Sequence, residues 1–214
     1  DDTITDDQGS NILDGGSGND NLTSRSLSGD HTLLGGTGND NLNATGLLLN
    51  LDGGEGNDSL NINGYLNIGG SAQYVQGGNA IAKGGSGADN LYAENYSTAE
   101  LRGGTGNDRL DTEYVKDALL FGEAGDDILE TDIVGWKTQN TDGNNRLPQS
   151  AYLDGGDGND ILNIRGDLYL SYGSTTATAI GGFGDDIISI TENYSDANRG
   201  YTSVTVDGGD GSDT

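Results

Sequence analysis

The segment GGTGNDNLN at residues 35–43 returns as GGEGNDSLN at 53–61, and the same outline recurs along the chain. Its nine starts are Gly15, Gly35, Gly53, Gly84, Gly103, Gly122, Gly155, Gly181 and Gly208, spaced 20, 18, 31, 19, 19, 33, 26 and 27 residues apart. A period of this size describes small units that cannot bury an apolar face alone and must stack on one another. The flanks show which face is buried. Two residues before each motif stand Leu13, Leu33, Leu51, Ala82, Leu101, Leu120, Leu153, Ala179 and Val206. At the eighth motif place stand Leu22, Leu42, Leu60, Leu91, Leu110, Leu129, Leu162 and Ile188. Small or apolar residues also dominate four places before the motif and at its tenth place. Apolar side chains at every second position on both sides of a glycine turn mean strand, turn, strand, with one face inward.

The flanking positions and the motif take 14 residues, leaving 4 to 6 of an 18- to 20-residue coil for a turn on the opposite edge. The expected fold is all-β: a right-handed parallel β-solenoid of about nine coils, spaced about 4.8 Å apart. It forms a rod on the order of 40 Å long, with glycine loops stacked on one edge and irregular loops on the other. Residues 1–214 read as a single elongated domain. The chain breaks off at GGDGSDT, partway through a repeat, and opens on no signal peptide, so it reads as a piece of a longer secreted protein.

Charge narrows the partners. With 35 acidic and 9 basic residues the formal net charge is −26, which repels nucleic acid and anionic membranes and attracts cations. No apolar stretch approaches the roughly 20 residues of a membrane-spanning helix, so no membrane insertion is expected. A hydrophobic content of 31% at this charge invites disorder, yet the aligned apolar columns argue for a core. The absence of cysteine excludes disulfides and thiolate metal sites.

Within GGxGxD, glycines allow positive φ and turn carbonyls toward a common point, and the aspartate adds a charged oxygen. Hard oxygens from backbone and carboxylate suit Ca2+, which takes 6 to 8 of them. One loop is too small to supply so many, whereas two stacked loops suffice. An Asx turn closing a tight bend is the metal-free reading of a single such segment. Nine aligned copies in so acidic a chain favour the ion.

The pattern GGxGxDxUx, U being a large aliphatic residue, resembles the RTX (hemolysin-type) calcium-binding repeat. The resemblance implies ions between successive turns. As carboxylate ligands it implies Asp20, Asp40, Asp58, Asp89, Asp108, Asp127, Asp160, Asp186 and Asp213. As carbonyl donors it implies Gly16, Gly18, Gly36, Gly38, Gly54, Gly56, Gly85, Gly87, Gly104, Gly106, Gly125, Gly156, Gly158, Gly182, Gly184, Gly209 and Gly211. Nine loops have eight gaps, hence up to eight Ca2+, and −26 + 16 leaves −10. RTX-like proteins leave the cell unfolded through type I secretion and fold outside, which implies an extracellular or cell-surface location.

Two departures from the family pattern stand out. A single motif per coil, rather than back-to-back nonapeptides, predicts calcium on one edge only. Glu123 stands where glycine is expected, which predicts strain around Asp127, and Lys83 and Arg102 precede two motifs with positive charge that should weaken nearby ions.

Insertions at 63–80, 134–151, 165–179 and 192–204 fall opposite the glycine edge. There variation is tolerated and recognition can reside. Their aromatics (Tyr65, Tyr74, Trp136, Tyr169, Tyr172, Tyr194 and Tyr201) either cap the open side of the core or offer a surface for a glycan or protein at the cell surface, or for self-association. The RGD tripeptide at 165–167 is short enough to arise by chance. The single His31 sits in an inner column without a serine or acid partner in any motif, which suits packing and not a catalytic triad. No catalytic constellation appears, so no enzyme is expected. Three readings remain: a calcium-stiffened structural and interaction module of an adhesin, surface-layer or fibre-forming protein; a folding and secretion module attached to an extracellular enzyme or toxin; and an ice binder. The third-place column, which includes Glu55, Ala124 and Phe183, is too irregular to favour the last.

Overall fold

The computed structural model describes residues 1–68, 71–75, 77–133, 149–166, 175–192 and 202–214. Among these residues all regular structure is strand, arranged in two nine-stranded parallel sheets and one two-stranded antiparallel hairpin. The first sheet holds β1 (Thr3–Asp6), ahead of the first motif, and the strand that follows each of the first eight motifs: β3 (Asn21–Arg25), β5 (Asn41–Thr45), β7 (Ser59–Asn63), β11 (Asn90–Glu94), β13 (Arg109–Glu113), β15 (Ile128–Ile133), β17 (Ile161–Gly166) and β19 (Ile187–Glu192). The second holds the strand that enters each motif: β2 (Asn11–Ser17), β4 (Asp30–Thr37), β6 (Leu48–Glu55), β10 (Asn79–Ser86), β12 (Thr98–Thr105), β14 (Asp117–Ala124), β16 (Ser150–Asp157), β18 (Thr175–Phe183) and β20 (Thr202–Asp210). The chain alternates between sheets, crossing at a glycine loop on one edge and at a variable turn on the other. This is the expected solenoid of about nine coils.

Register follows the apolar columns. Leu22, Leu42, Leu60, Leu91, Leu110, Leu129, Leu162 and Ile188 are Cα partners in succession. Leu13, Leu33, Leu51, Ala82, Leu101, Leu120, Leu153, Ala179 and Val206 are likewise matched across the other sheet. A one-residue slip would turn a whole strand's leucines to solvent, so burial enforces this register. Leu22, Leu33, Leu42, Leu51 and their successors through Leu162 and Ala179 are 0–1% exposed, whereas Val206 on the last coil is 53% exposed. The core is a thin seam of leucine facing leucine or alanine, coil on coil.

On the edge opposite the glycine loops, short turns lie beside larger excursions. The 63–80 insertion contains an antiparallel hairpin, β8 (Tyr65–Ile68) with β9 (Ser71–Tyr74), after which Val75 returns to the core. Tyr96 closes this edge from inside: it is fully buried and its hydroxyl donates to the Gly46 carbonyl at 2.9 Å, two coils away. His31 is buried, with Nδ1 3.0 Å from the hydroxyl of Ser24, a serine partner that sequence reading did not find, and with Nε2 unpaired among the described residues. The hairpin signal within 134–148 lies outside the described residues, as do the paired-strand signal of 167–174 and Trp136, Tyr169, Tyr172, Tyr194 and Tyr201. Arg165 of the RGD tripeptide lies on β17, where its Nε donates to Asp132 at 3.1 Å.

Candidate calcium edge

Each glycine loop is the join between the two sheets. The entering strand runs through the third motif place, the turn occupies places four to six, and the leaving strand begins at place seven. Successive loops are hydrogen-bonded to one another. The place-four N–H donates to the place-three carbonyl of the following coil, as Gly38 does to Glu55 at 2.7 Å and Gly106 to Ala124 at 2.8 Å. The loops therefore stack in register, as the sheets do.

The motif aspartates point inward. Asp20, Asp40, Asp58, Asp89, Asp108, Asp127, Asp160 and Asp186 are 0–3% exposed, whereas Asp213, on the terminal coil, is exposed. One carboxylate oxygen of each is accounted for. Asp40 Oδ1 accepts from the Asp20 N–H at 2.7 Å, Asp58 Oδ1 from the Asp40 N–H at 2.8 Å, and the pattern continues to Asp213, which accepts from Asp186 at 3.1 Å. The other oxygen is not. Oδ2 of all eight buried aspartates has no hydrogen-bond partner. A buried, ionised and half-satisfied carboxylate is among the costliest groups a fold can hold, and here eight of them stack along one edge.

The surroundings of Oδ2 show what would satisfy it. A Cβ built on Gly15, the first glycine of its motif, would stand 2.5 Å from Asp20 Oδ2 and 2.8 Å from the Gly35 carbonyl oxygen of the next coil. The same two kinds of oxygen crowd the corresponding point at Gly35, Gly53, Gly84, Gly103, Gly122, Gly155 and Gly181. Oxygens from adjacent loops thus converge beside each first glycine, which carries no positive φ and is needed for space. Among the described residues no three Asp, Glu or His side chains gather at one point. Each coil lends one carboxylate, so a cation here must draw its remaining ligands from the backbone. That donor set, hard and all-oxygen, fits Ca2+.

The carbonyls named from sequence lie in two neighbouring columns. Those of the second glycines (Gly16, Gly36, Gly54, Gly85, Gly156, Gly182) abut the second-place residue of the following coil, Gly104 is the register partner of Glu123, and those of the fourth-place glycines (Gly18, Gly38, Gly56, Gly87, Gly106, Gly125, Gly158, Gly184) abut the next fourth-place glycine. Gly209 and Gly211 continue these columns into the last coil. The first-glycine carbonyl, which stands beside Oδ2, was missed by sequence reasoning. The available signal was that place one is glycine in all nine segments.

A tenth aspartate was also missed. Thr3 pairs with Asn21, which places Asp2 in the motif-aspartate column, and its N–H donates to Asp20 Oδ1. The residues DDTIT match places five to nine without the glycines that would have announced them.

Burial raises five of these carboxylates. Removal from water pushes Asp58, Asp89, Asp108 and Asp160 up to about 6 and Asp127 to about 7, only partly opposed by the N–H bond each accepts. Neighbouring carboxylates add to the rise, and Asp127 feels Asp108, Asp160 and Asp126 together. Cationic side chains do not relieve the column. Lys83 and Arg102 precede their motifs on the outer face of the sheet, and Arg102 is paired with Glu100 at 2.7 Å and Glu123 at 3.0 Å. The weakening expected of Arg102 is therefore offset by carboxylates at its own position.

A second ladder runs outside the first, at motif place five, and in the opposite sense. Asn19 Oδ1 accepts from the Asn39 N–H at 2.7 Å, and Asn39 Oδ1 from the Asn57 N–H at 2.8 Å. The series resumes with Asn107 accepting from Asp126 at 3.1 Å. It is broken at Ala88, which has no oxygen to offer the Asn107 N–H. Ala88→Asn should restore the rung and add about 1 kcal/mol, a rise of roughly 2–4 °C in the melting temperature in saturating calcium. A calorimetric midpoint at or below the parent value would count against the ladder.

A family model for the RTX calcium-binding nonapeptide repeat matches four copies, over residues 1–26, 74–95, 100–113 and 152–163. Comparison with curated proteins and with solved structures gave no match. The first matched stretch begins at the glycine-free copy around Asp2. Four stretches of the chain are thus RTX calcium-binding nonapeptide repeats, whose ion is Ca2+.

Proposed function

We propose that this chain is a calcium-stiffened structural and interaction rod of a secreted bacterial protein of the adhesin, surface-layer or fibre-forming kind. It takes up to eight Ca2+ and folds outside the cell, and it has no catalytic role of its own. The observation that carries the reading is the column of eight buried, half-satisfied carboxylates spanning the whole stack. Unscreened, they oppose folding along its full length. With ions between the loops, the same column joins every coil to the next. Because the sites exist only when the coils are stacked, binding energy becomes folding energy. Calcium near 10⁻⁴ to 10⁻³ M, roughly the range of extracellular modules, then acts as the signal that the chain has left the cytosol. The outer faces and the variable edge opposite the ions are left for contacts with a glycan, a protein or another rod.

Small-angle scattering tests the reading directly. In calcium-stripped buffer at neutral pH the chain should have the radius of gyration of an unfolded polymer, about 50 Å for this length. In 5 mM calcium it should fall below about 20 Å, with the distance distribution of a short rod. Equal dimensions in the two buffers would remove calcium-driven folding, and the secreted-rod reading with it.

A further inference from the structure

Motif place two is glycine in eight segments and Glu123 in the other. The glycines hold φ between +86° and +115°, and Glu123 holds +76°, a conformation that disfavours any residue with a Cβ unless its surroundings fix it. Those surroundings lie on the outer face of the entering sheet. Glu123 accepts a hydrogen bond from Arg102 Nη1 at 3.0 Å, across one coil. The guanidinium is itself anchored, since Nε donates to Glu100 at 2.7 Å and the group lies 4.2 Å from the centre of the Phe121 ring. Phe121 in turn packs at 5.6 Å against Tyr152 of the following coil.

The backbone consequence reaches the calcium edge. Rotation about φ of Glu123 sets the tilt of the peptide plane that carries the Gly122 carbonyl. That oxygen lies 2.8 Å from the point where a Cβ on Gly103 would stand, the point that Asp108 Oδ2 also crowds. We propose that Arg102 is a positioning residue for the cation site between the fifth and sixth loops: by holding Glu123 at positive φ it keeps the Gly122 carbonyl aimed beside Asp108. The arrangement does locally, with an ion pair stacked on an aromatic ring, what glycine does by itself in the other coils. This rests on the calcium reading above and adds to it a residue that touches no ion.

Hydrogen exchange followed by mass spectrometry at graded calcium separates the alternatives. Arg102→Met keeps the aliphatic stem over Phe121 and removes the guanidinium. It should raise the calcium needed for half-protection of residues 104–128 by about 3- to 10-fold, the scale of one charge-assisted bond, while residues 31–45 keep their midpoint as internal reference. In a Glu123→Gly background, where glycine takes positive φ freely, Arg102→Met should move the 104–128 midpoint by less than about 1.5-fold. An unchanged midpoint in Arg102→Met overturns the proposal. So does an equal rise in both backgrounds, which would make Arg102 a matter of sheet packing alone. If residues 31–45 of the parent chain show no calcium-dependent protection, the calcium reading fails first and the clamp falls with it.

Discussion

Stripped of calcium at pH 7.5, the chain should lose its β-sheet circular dichroism, and acidification to about pH 4.5, still without metal, should restore much of it. The sign follows from the buried carboxylates. In the metal-free fold Asp58, Asp89, Asp108 and Asp160 titrate near 6 and Asp127 near 7, against 3.8 in the unfolded chain. Between those values the folded state binds more protons than the unfolded one, so metal-free stability falls as pH rises through this window. Below about 4 both states are protonated and no further gain remains. Above about 7 the full penalty of burying the anions is present. Calcium reverses the dependence. Protons compete with the ion for the same oxygens, so the calcium concentration at half-folding should climb as pH drops below about 6. A metal-free spectrum that weakens further on acidification would show that these carboxylates stabilise the fold as anions by themselves, and the need for an ion would be gone.

Much of this arrangement is legible in the residues because each structural demand falls on a separate column. Leu22 through Leu162 occupy one place and pair with one another, since a period of two and a fixed loop leave a strand no other face to bury. The aspartates were equally legible as a column, because place six is aspartate in all nine segments. Where the reading fell short, the missing information was spatial. Gly35 and its equivalents adopt ordinary φ, so reasoning about backbone freedom passed over them. Their lack of a Cβ matters only once two loops are stacked and Asp20 Oδ2 meets the Gly35 carbonyl. Asp2 escaped because its copy lacks the glycines used to find the others, and only register on Asp20 reveals it. Tyr96 sits at the thirteenth place from its motif, where Leu27, Leu47 and Val115 form a further apolar column. Its bond to Gly46 spans two coils, which no local pattern encodes. The charge before the motif at Arg102 was visible, but its direction was not, because alternation along β12 sends it outward to Glu123.

Gly103→Ala should split the array at one coil, although it adds only a single methyl group. The change is small, and φ at this position does not forbid it. The new carbon, however, would be driven against Asp108 Oδ2 and would stand 2.8 Å from the Gly122 carbonyl oxygen. Neither oxygen has free room to retreat, since Asp108 Oδ1 holds the Asp89 N–H at 2.8 Å and the residues flanking Gly122, Phe121 and Glu123, are paired to the strands on both sides. The expected cost is about 3–5 kcal/mol, the range of severe core defects, together with loss of the ion at this gap. In a one-dimensional stack, where each unit couples only to its neighbours, the consequence is a divided array. Coils one to four and six to nine should then melt as separate transitions and bind calcium as two groups. Gly9→Ala is the matched control, because Gly9 has φ of +73° but open space around its Cβ position. It should cost about 1–2 kcal/mol of backbone strain and leave both cooperativity and calcium stoichiometry intact. Calorimetry with calcium titration of the two variants compares crowding of the oxygen column with strain alone. If Gly103→Ala proves no more harmful than Gly9→Ala, the first glycine is not the cradle of the ion, and the convergence of Asp108 and Gly122 has another purpose.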